Sequence, residues 1–317
     1  MNRRHYLLQI GSVAAVLFAL RRAQAAVVDE SWHDSRRNRE LPMRVRWPEG
    51  DAPCALVVHS HGLGGSRDGG DVWGEAWRAA GVAVLHVQHP GSDTAVLRKG
   101  MAALRAAASA EQLAARVADM QFVVDELTRR AERREPGWSR VRLDALGTSG
   151  HSFGAHTVQA LAGQRYPVAA ERAADPRFKA FIAFSPSPGQ VANAFAAVTR
   201  PFLAITGSGD SDPLRHSMSG EDRARVYDSL PPGQRALLWL DGADHMTFGG
   251  NGEHRLRARF GPLQRSAGAA DKEPRHHEVV AAVTALWWRA HLFGDASAIT
   301  ALRSPQGLAE GDRWRRD

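Results

Sequence analysis

Leu143-Asp144-Ala145-Leu146-Gly147-Thr148-Ser149-Gly150-His151-Ser152-Phe153-Gly154-Ala155-His156 carries more folding information than any other run of the chain. Residues 143–149 read as a short buried strand, and after the serine Phe153, His156, Thr157, Ala160 and Leu161 recur at helical spacing. A serine held in a sharp strand-to-helix turn projects its hydroxyl outward, and its neighbours at the crossing must lack bulk so that the two segments pass closely. Gly150 and Gly154 meet that demand. A lone G-x-S-x-G is a weak pattern. The strand before it and the helix after it make it specific here, and a nucleophile elbow with Ser152 at its tip is expected.

Working outward, strand-like apolar runs cover residues 43–47, 55–59, 82–87, 143–149, 178–184, 201–206 and 235–240. Helix-like segments over 71–80, 110–134, 153–162, 190–198, 221–230 and 273–292 separate most of them. Strands apolar on both faces that alternate with helices predict an α/β fold, a mostly parallel sheet with helices on both faces. In such sheets ligands bind beyond the carboxyl ends of the strands. The long helix carries Leu113, Val117, Met120, Val124 and Leu127 as a core-facing stripe. The less regular residues 89–110 before it are expected to form a loop or small lid-like insertion over the site.

The 317 residues contain no long Pro/Ser/Gly linker, so one domain over 26–317 is expected, and 44% hydrophobic residues suffice for one sizeable core. Residues 1–25 read differently. Arg3-Arg4 before Tyr6-Leu7, an apolar run to Leu20, then Arg21-Arg22 and Ala23-Gln24-Ala25 predict a twin-arginine export signal cleaved after Ala25. The run is shorter than the roughly 20 residues a spanning helix needs, so no stable membrane insertion is expected after cleavage, and the location is periplasmic or secreted. The signal holds four arginines and no acid, so the formal +7 falls to +3 without it. That excess, with arginines scattered among acids, gives no basis for nucleic-acid binding. Cys54 is the single cysteine, which excludes an internal disulfide and reads as a small core residue.

A serine hydroxyl needs an imidazole to take its proton and a buried carboxylate to fix that imidazole's tautomer. In this kind of fold the acid and the histidine follow the serine, each after a later strand. Residues 201–206 run into Gly207-Ser208-Gly209-Asp210, and residues 235–240 run into Asp241-Gly242-Ala243-Asp244-His245. Ser152, Asp210 and His245 are therefore the candidate catalytic set, with Asp212 the rival acid in the same turn. An oxyanion requires two backbone donors. The elbow supplies the N–H of Phe153, and His59-Ser60-His61-Gly62-Leu63-Gly64-Gly65 after an early strand supplies the other, assigned to Leu63 with Gly64 and Gly62 as alternatives. Trp73 and Trp77, one turn apart, and Met246 and Phe248 after the histidine are candidate pocket residues, with core packing the competing reading for such aromatic pairs. Trp287-Trp288 reads as structural. His59 and His61 at strand spacing lack a clearly placed third ligand, so no metal is expected. Gly207-Ser208-Gly209 lacks the third glycine of a dinucleotide loop.

In His59 to Arg67, Gly150 to Ala155 and Gly242 to Met246 the chain resembles the α/β-hydrolase superfamily. In detail it is similar to bacterial dienelactone-hydrolase-like and platelet-activating-factor-acetylhydrolase-like esterases, although dienelactone hydrolases have cysteine where this chain has Ser152. The resemblance implies the α/β-hydrolase fold and an exported serine hydrolase that cleaves small-molecule or lipid carboxylic esters through a covalent acyl-enzyme, without cofactor. A catalytically inactive binding protein on the same scaffold, and a triad enzyme acting on amides, as an acyltransferase or as a perhydrolase, are the alternatives.

Overall fold

The computed structural model describes residues 27–167, 173–212, 218–251 and 265–317. The export signal expected at residues 1–25 lies outside the described residues. Among the described residues nine strands form one sheet: β1 (Val27–Asp34), β2 (Arg39–Arg46), β3 (Cys54–Ser60), β4 (Ala83–Val87), β5 (Val141–His151), β6 (Phe178–Phe184), β7 (Phe202–Gly209), β8 (Arg235–Asp244) and β9 (Arg313–Arg316). Their order is β1-β2-β4-β3-β5-β6-β7-β8-β9. From β4 to β8 all neighbours are parallel, while β1 with β2, β2 with β4 and β8 with β9 are antiparallel.

Both faces of the central strands are buried, which is why they read as continuous apolar runs. Along β3, Leu56 and Val58 enter one core cluster while Ala55 and Val57 enter the other, as the two-residue strand period requires. The first cluster packs against α4 (Ala110–Glu132), α5 (Phe153–Ala162) and α6 (Gly220–Ser229) through Val117, Met120, Val158 and Val226. The second packs against α1 (Asp71–Ala79) and α7 (Ala269–Leu292) through Trp73, Trp77, Val280 and Trp288. Ser109 caps α4 by accepting from the N–H of Gln112 at 3.3 Å, and Ser219 and Asp222 form a reciprocal capping box on α6.

Residues 89–110 fold as two short helices, α2 (Thr94–Leu97) and α3 (Met101–Ala106), with their own small apolar cluster of Val96, Leu104 and Ala107 backed by Leu63, Leu97 and Ala103. The helix expected over 190–198 is absent. Asn193 is left-handed there (φ 53), and the N–H groups of Ala196 and Val198 bond three residues back at 3.1 and 2.9 Å, the pattern of successive turns. A short C-terminal helix, α8 (Ala296–Ala301), leads to β9. Among the described residues no helix is long and apolar enough to cross a membrane.

Candidate active site

β5 runs straight into α5, and Ser152 at the junction has φ 57 and ψ −115, a conformation that costs a non-glycine residue on the order of 1–3 kcal/mol. Hydrogen bonds on both sides hold it. The Ser152 N–H donates to Phe184 O at 3.0 Å, and Ser152 O accepts from Ala155 N–H at 2.8 Å. A Cβ added at Gly154 would lie 1.9 Å from Ser60 O and one at Gly150 2.4 Å from Gly154 O, so both glycines are required by close contact between segments of the backbone. The turn expected from the pentapeptide is present.

The structure brings His245 to Asp210. The His245 Nδ1–H donates to Asp210 Oδ1 at 2.8 Å, so in the neutral tautomer it is Nε2 that can accept a proton. Asp210 is wholly buried at the end of β7, where Oδ2 accepts from Thr206 Oγ1 at 2.8 Å and Arg223 Nε stands 3.2 Å from Oδ1. Burial works to raise the Asp210 pKa, but the charge of Arg223 and the bonds from His245 and Thr206 outweigh it and hold the carboxyl below its ordinary value. Asp212 instead uses its N–H on Met218 O at 3.0 Å and stands at the cavity wall.

His245 follows β8, and the turn that presents it is tied at Asp244, whose carboxylate accepts from Thr247 N–H at 3.0 Å and from Arg265 Nε at 2.9 Å. The His151 Nε2–H donates to His245 O at 2.9 Å, with the two rings 4.7 Å apart. Burial holds the His151 pKa well below the imidazole norm, so it props His245 as a neutral ring.

Ser152, His245, Leu63 and Phe153 line one cavity of about 1040 Å³. Its apolar wall includes Leu97, Met101, Leu104 and Leu113, so α2, α3 and the start of α4 stand over the serine. Among the described residues, the N–H groups of Leu63 and Phe153 have no acceptor, whereas Gly64 donates to Ser92 O at 2.8 Å. Gly64, one of the alternatives to Leu63, is therefore occupied. Of the other expected pocket residues Met246 lines the cavity. Trp73 and Phe248 do not: Trp73 is buried in the second core cluster, stacks on Phe184 at 5.5 Å and donates Nε1–H to Phe248 O at 3.2 Å. With Trp77 four residues on, it occupies the apolar face by which α1 covers the sheet, and Phe248 packs in the same layer.

A buried polar network underlies the loop from His61 to Gly65, and sequence reasoning missed most of it. Arg116 of α4 donates to Ser60 Oγ and Ser92 Oγ, both at 2.9 Å, to Thr157 Oγ1 at 3.2 Å and to His61 O, with its guanidinium 4.9 Å from the Phe153 ring. Asp119 Oδ2 lies 2.9 Å from His89 Nδ1, and His89 Nε2 lies 3.0 Å from Ser60 Oγ. Ser60, His89 and Asp119 repeat a serine-histidine-acid alignment, yet all three are buried, so the alignment is closed to any ligand. Burial works to raise the Asp119 pKa, but bonds and charge from His89 and Arg39 hold it at about 2. Burial next to Arg116 lowers His89 to about 4. His59 Nδ1 is 2.9 Å from Ser149 Oγ, and both ring nitrogens of His61 are bonded within the protein.

No family model matches the chain, and no curated protein matches it. Among solved structures it is similar to one described as 2,6-dihydroxy-pseudo-oxynicotine hydrolase, with a TM-score of 0.54 and 15% identity over 86% of this chain and 72% of that one. That likeness and the sheet order show the α/β-hydrolase fold.

Proposed function

We propose that the chain is a serine hydrolase that cleaves carboxylic esters bearing a bulky apolar group. The observation that carries this reading is the 2.8 Å bond from His245 Nδ1 to the buried Asp210, which fixes the ring so that Nε2 is the nitrogen available as a base in the cavity that Ser152 also lines. Ser152 Oγ attacks the ester carbonyl and His245 Nε2 takes its proton. The oxyanion accepts from the N–H groups of Phe153 and Leu63. As the tetrahedral intermediate collapses, the C–O bond to the alcohol breaks and His245 returns the proton to the leaving alkoxide. Water repeats the sequence on the acyl-serine, releasing the acid and restoring Ser152. This scheme needs no cofactor.

The cavity of about 1040 Å³ stands at the upper end of the roughly 300–1,000 Å³ typical of pockets for drug-sized ligands. Each methylene buried against the leucine wall contributes about 0.8 kcal/mol. From p-nitrophenyl acetate to hexanoate, kcat/KM is therefore expected to rise about 200-fold. A series with its maximum at acetate contradicts the size preference, whereas failure of a fluorophosphonate probe to label Ser152 contradicts the hydrolase reading itself.

The site of action is outside the cytoplasm, a reading supported by the paired arginines and the Ala23-Gln24-Ala25 end of the leader. Arg3→Lys with Arg4→Lys is expected to leave precursor in the cytoplasm, and fractionation that finds the variant exported as well as the native chain defeats the assignment.

A further inference from the structure

We propose that His61 is a positioning residue for the oxyanion hole, holding the peptide between Gly62 and Leu63 so that the Leu63 N–H faces the substrate carbonyl. This rests on the serine-hydrolase reading of the site. The backbone N–H of His89 donates to His61 Nε2 at 3.0 Å. A peptide N–H has no role but donor, so Nε2 carries no proton and the neutral ring must hold its proton on Nδ1. Nδ1 stands 2.6 Å from Gly62 O, a carbonyl that only accepts. Burial first, and then the charge of Arg116, keeps the His61 pKa well below the imidazole norm, so the Nδ1–H tautomer persists across the neutral range.

Gly62 O receives a second bond, from the Gly65 N–H at 3.0 Å. The carbonyl is thus pinned from two sides, toward the protein. In a trans peptide the C=O and the N–H point in opposite directions, and the structure contains no cis bond among its described residues. The N–H on the far side of that peptide belongs to Leu63, which lines the cavity and has no acceptor among the described residues. The preceding carbonyl, His61 O, is held in the same manner by Arg116. Two successive carbonyls are anchored inward, and the bonds to Gly62 O also polarise the Leu63 N–H as a donor.

Two polar substitutions separate this role from simple packing. Asparagine places its amide nitrogen near the position of Nδ1 and keeps the bond to Gly62 O while losing the one from His89. Glutamine reaches the position of Nε2 and does the reverse. His61→Gln is expected to lower kcat about 100-fold, the lower end of the effect of losing an oxyanion donor, with KM changed less than about threefold. Binding of a trifluoromethyl ketone, which forms the tetrahedral adduct, should weaken by a similar factor. His61→Asn is expected to keep kcat within about tenfold of the native enzyme.

Glutamine outperforming asparagine, both variants matching the native rate, or a loss confined to KM each overturns the proposal. Thermal melts identify any variant that has lost its fold. Should His61→Gln not fold, a fall in kcat beyond about tenfold in folded His61→Asn overturns the proposal by itself. A native enzyme whose rate survives Ser152→Ala instead overturns the reading of the site on which the proposal stands.

Discussion

Ser152→Ala is expected to lower kcat for ester hydrolysis by about 10⁶-fold, the loss typical when the nucleophile of a serine triad is removed, while KM stays within a few fold. The size of the effect follows from the division of labour. In the proposed scheme every proton that His245 and Asp210 move belongs to forming or resolving the Ser152 adduct, so loss of the hydroxyl silences both, and what survives is the contribution of the oxyanion donors and binding, on the order of 10³–10⁴ over water. The variant should fold as the native chain does. Ser152 contributes only backbone to the turn, through its N–H to Phe184 O and its carbonyl to Ala155 N–H, and neither bond involves the hydroxyl. A far-ultraviolet spectrum and melting temperature close to native, together with abolished release of p-nitrophenol, is the expected pair of observations. Retention of even a tenth of native turnover in a folded Ser152→Ala protein rules out the acyl-enzyme scheme.

The parts of the site that were legible in the sequence are those with local physical demands. Gly150 and Gly154 are dictated by contact with Ser60 O and the helix backbone, and such contact leaves a glycine signature whatever the rest of the chain does. The pairing of Asp210 with His245 was legible because parallel strands with two buried faces stand out as apolar runs, and the residues just past their carboxyl ends are few. The central strands were legible for the same reason.

The edges were not legible. Along β1 only Trp32 and Asp34 are buried, and β9 is Arg-Trp-Arg-Arg with alternate exposure, so neither forms an apolar run. β9 is held instead by contacts specified elsewhere, among them Arg315 with Asp228 at 2.7 Å. Arg116 and Asp119 escaped attention for a related reason. They stand within the apolar stripe of α4, where a charged side chain reads as an interruption. Their partners at positions 39, 60, 61, 89, 92 and 157 come together only in the folded molecule. Arg223 is equally hidden, an ordinary helical arginine until α6 docks beside β7 and buries it against Asp210.

Acidification from pH 7 to 5.5 is expected to lower the unfolding free energy by about 6 kcal/mol, since five histidines share one condition. His59, His61, His86, His89 and His151 are all buried. Burial pushes the pKa of His59 down to about 3 and of His89 to about 4, and those of His61, His86 and His151 well below the ordinary imidazole value. Positive neighbours add to the effect, Arg116 for His59, His61 and His89, and Arg46 for His86.

In the unfolded chain each ring regains a pKa of about 6.5 and takes up a proton that the folded state refuses. The stabilising difference is therefore complete above that value and is lost as pH falls toward 4, where His89 accepts a proton in place. Below about pH 6 each ring contributes a slope approaching 1.4 kcal/mol per pH unit, and five together reach about 7. That matches the whole stability of an ordinary domain, about 5–15 kcal/mol, within one to two pH units, so acid unfolding is expected near pH 5. Asp119, held at about 2, adds nothing to this window, because its folded and unfolded forms are both ionised through most of it. Urea titrations at pH 7, 6 and 5.5 followed by circular dichroism measure the slope directly. A free energy that changes by less than about 1 kcal/mol across that range means the rings are not held buried and neutral. His61 and His151 back the oxyanion loop and the His245 carbonyl, so the folded architecture and the reactive geometry share these neutral imidazoles.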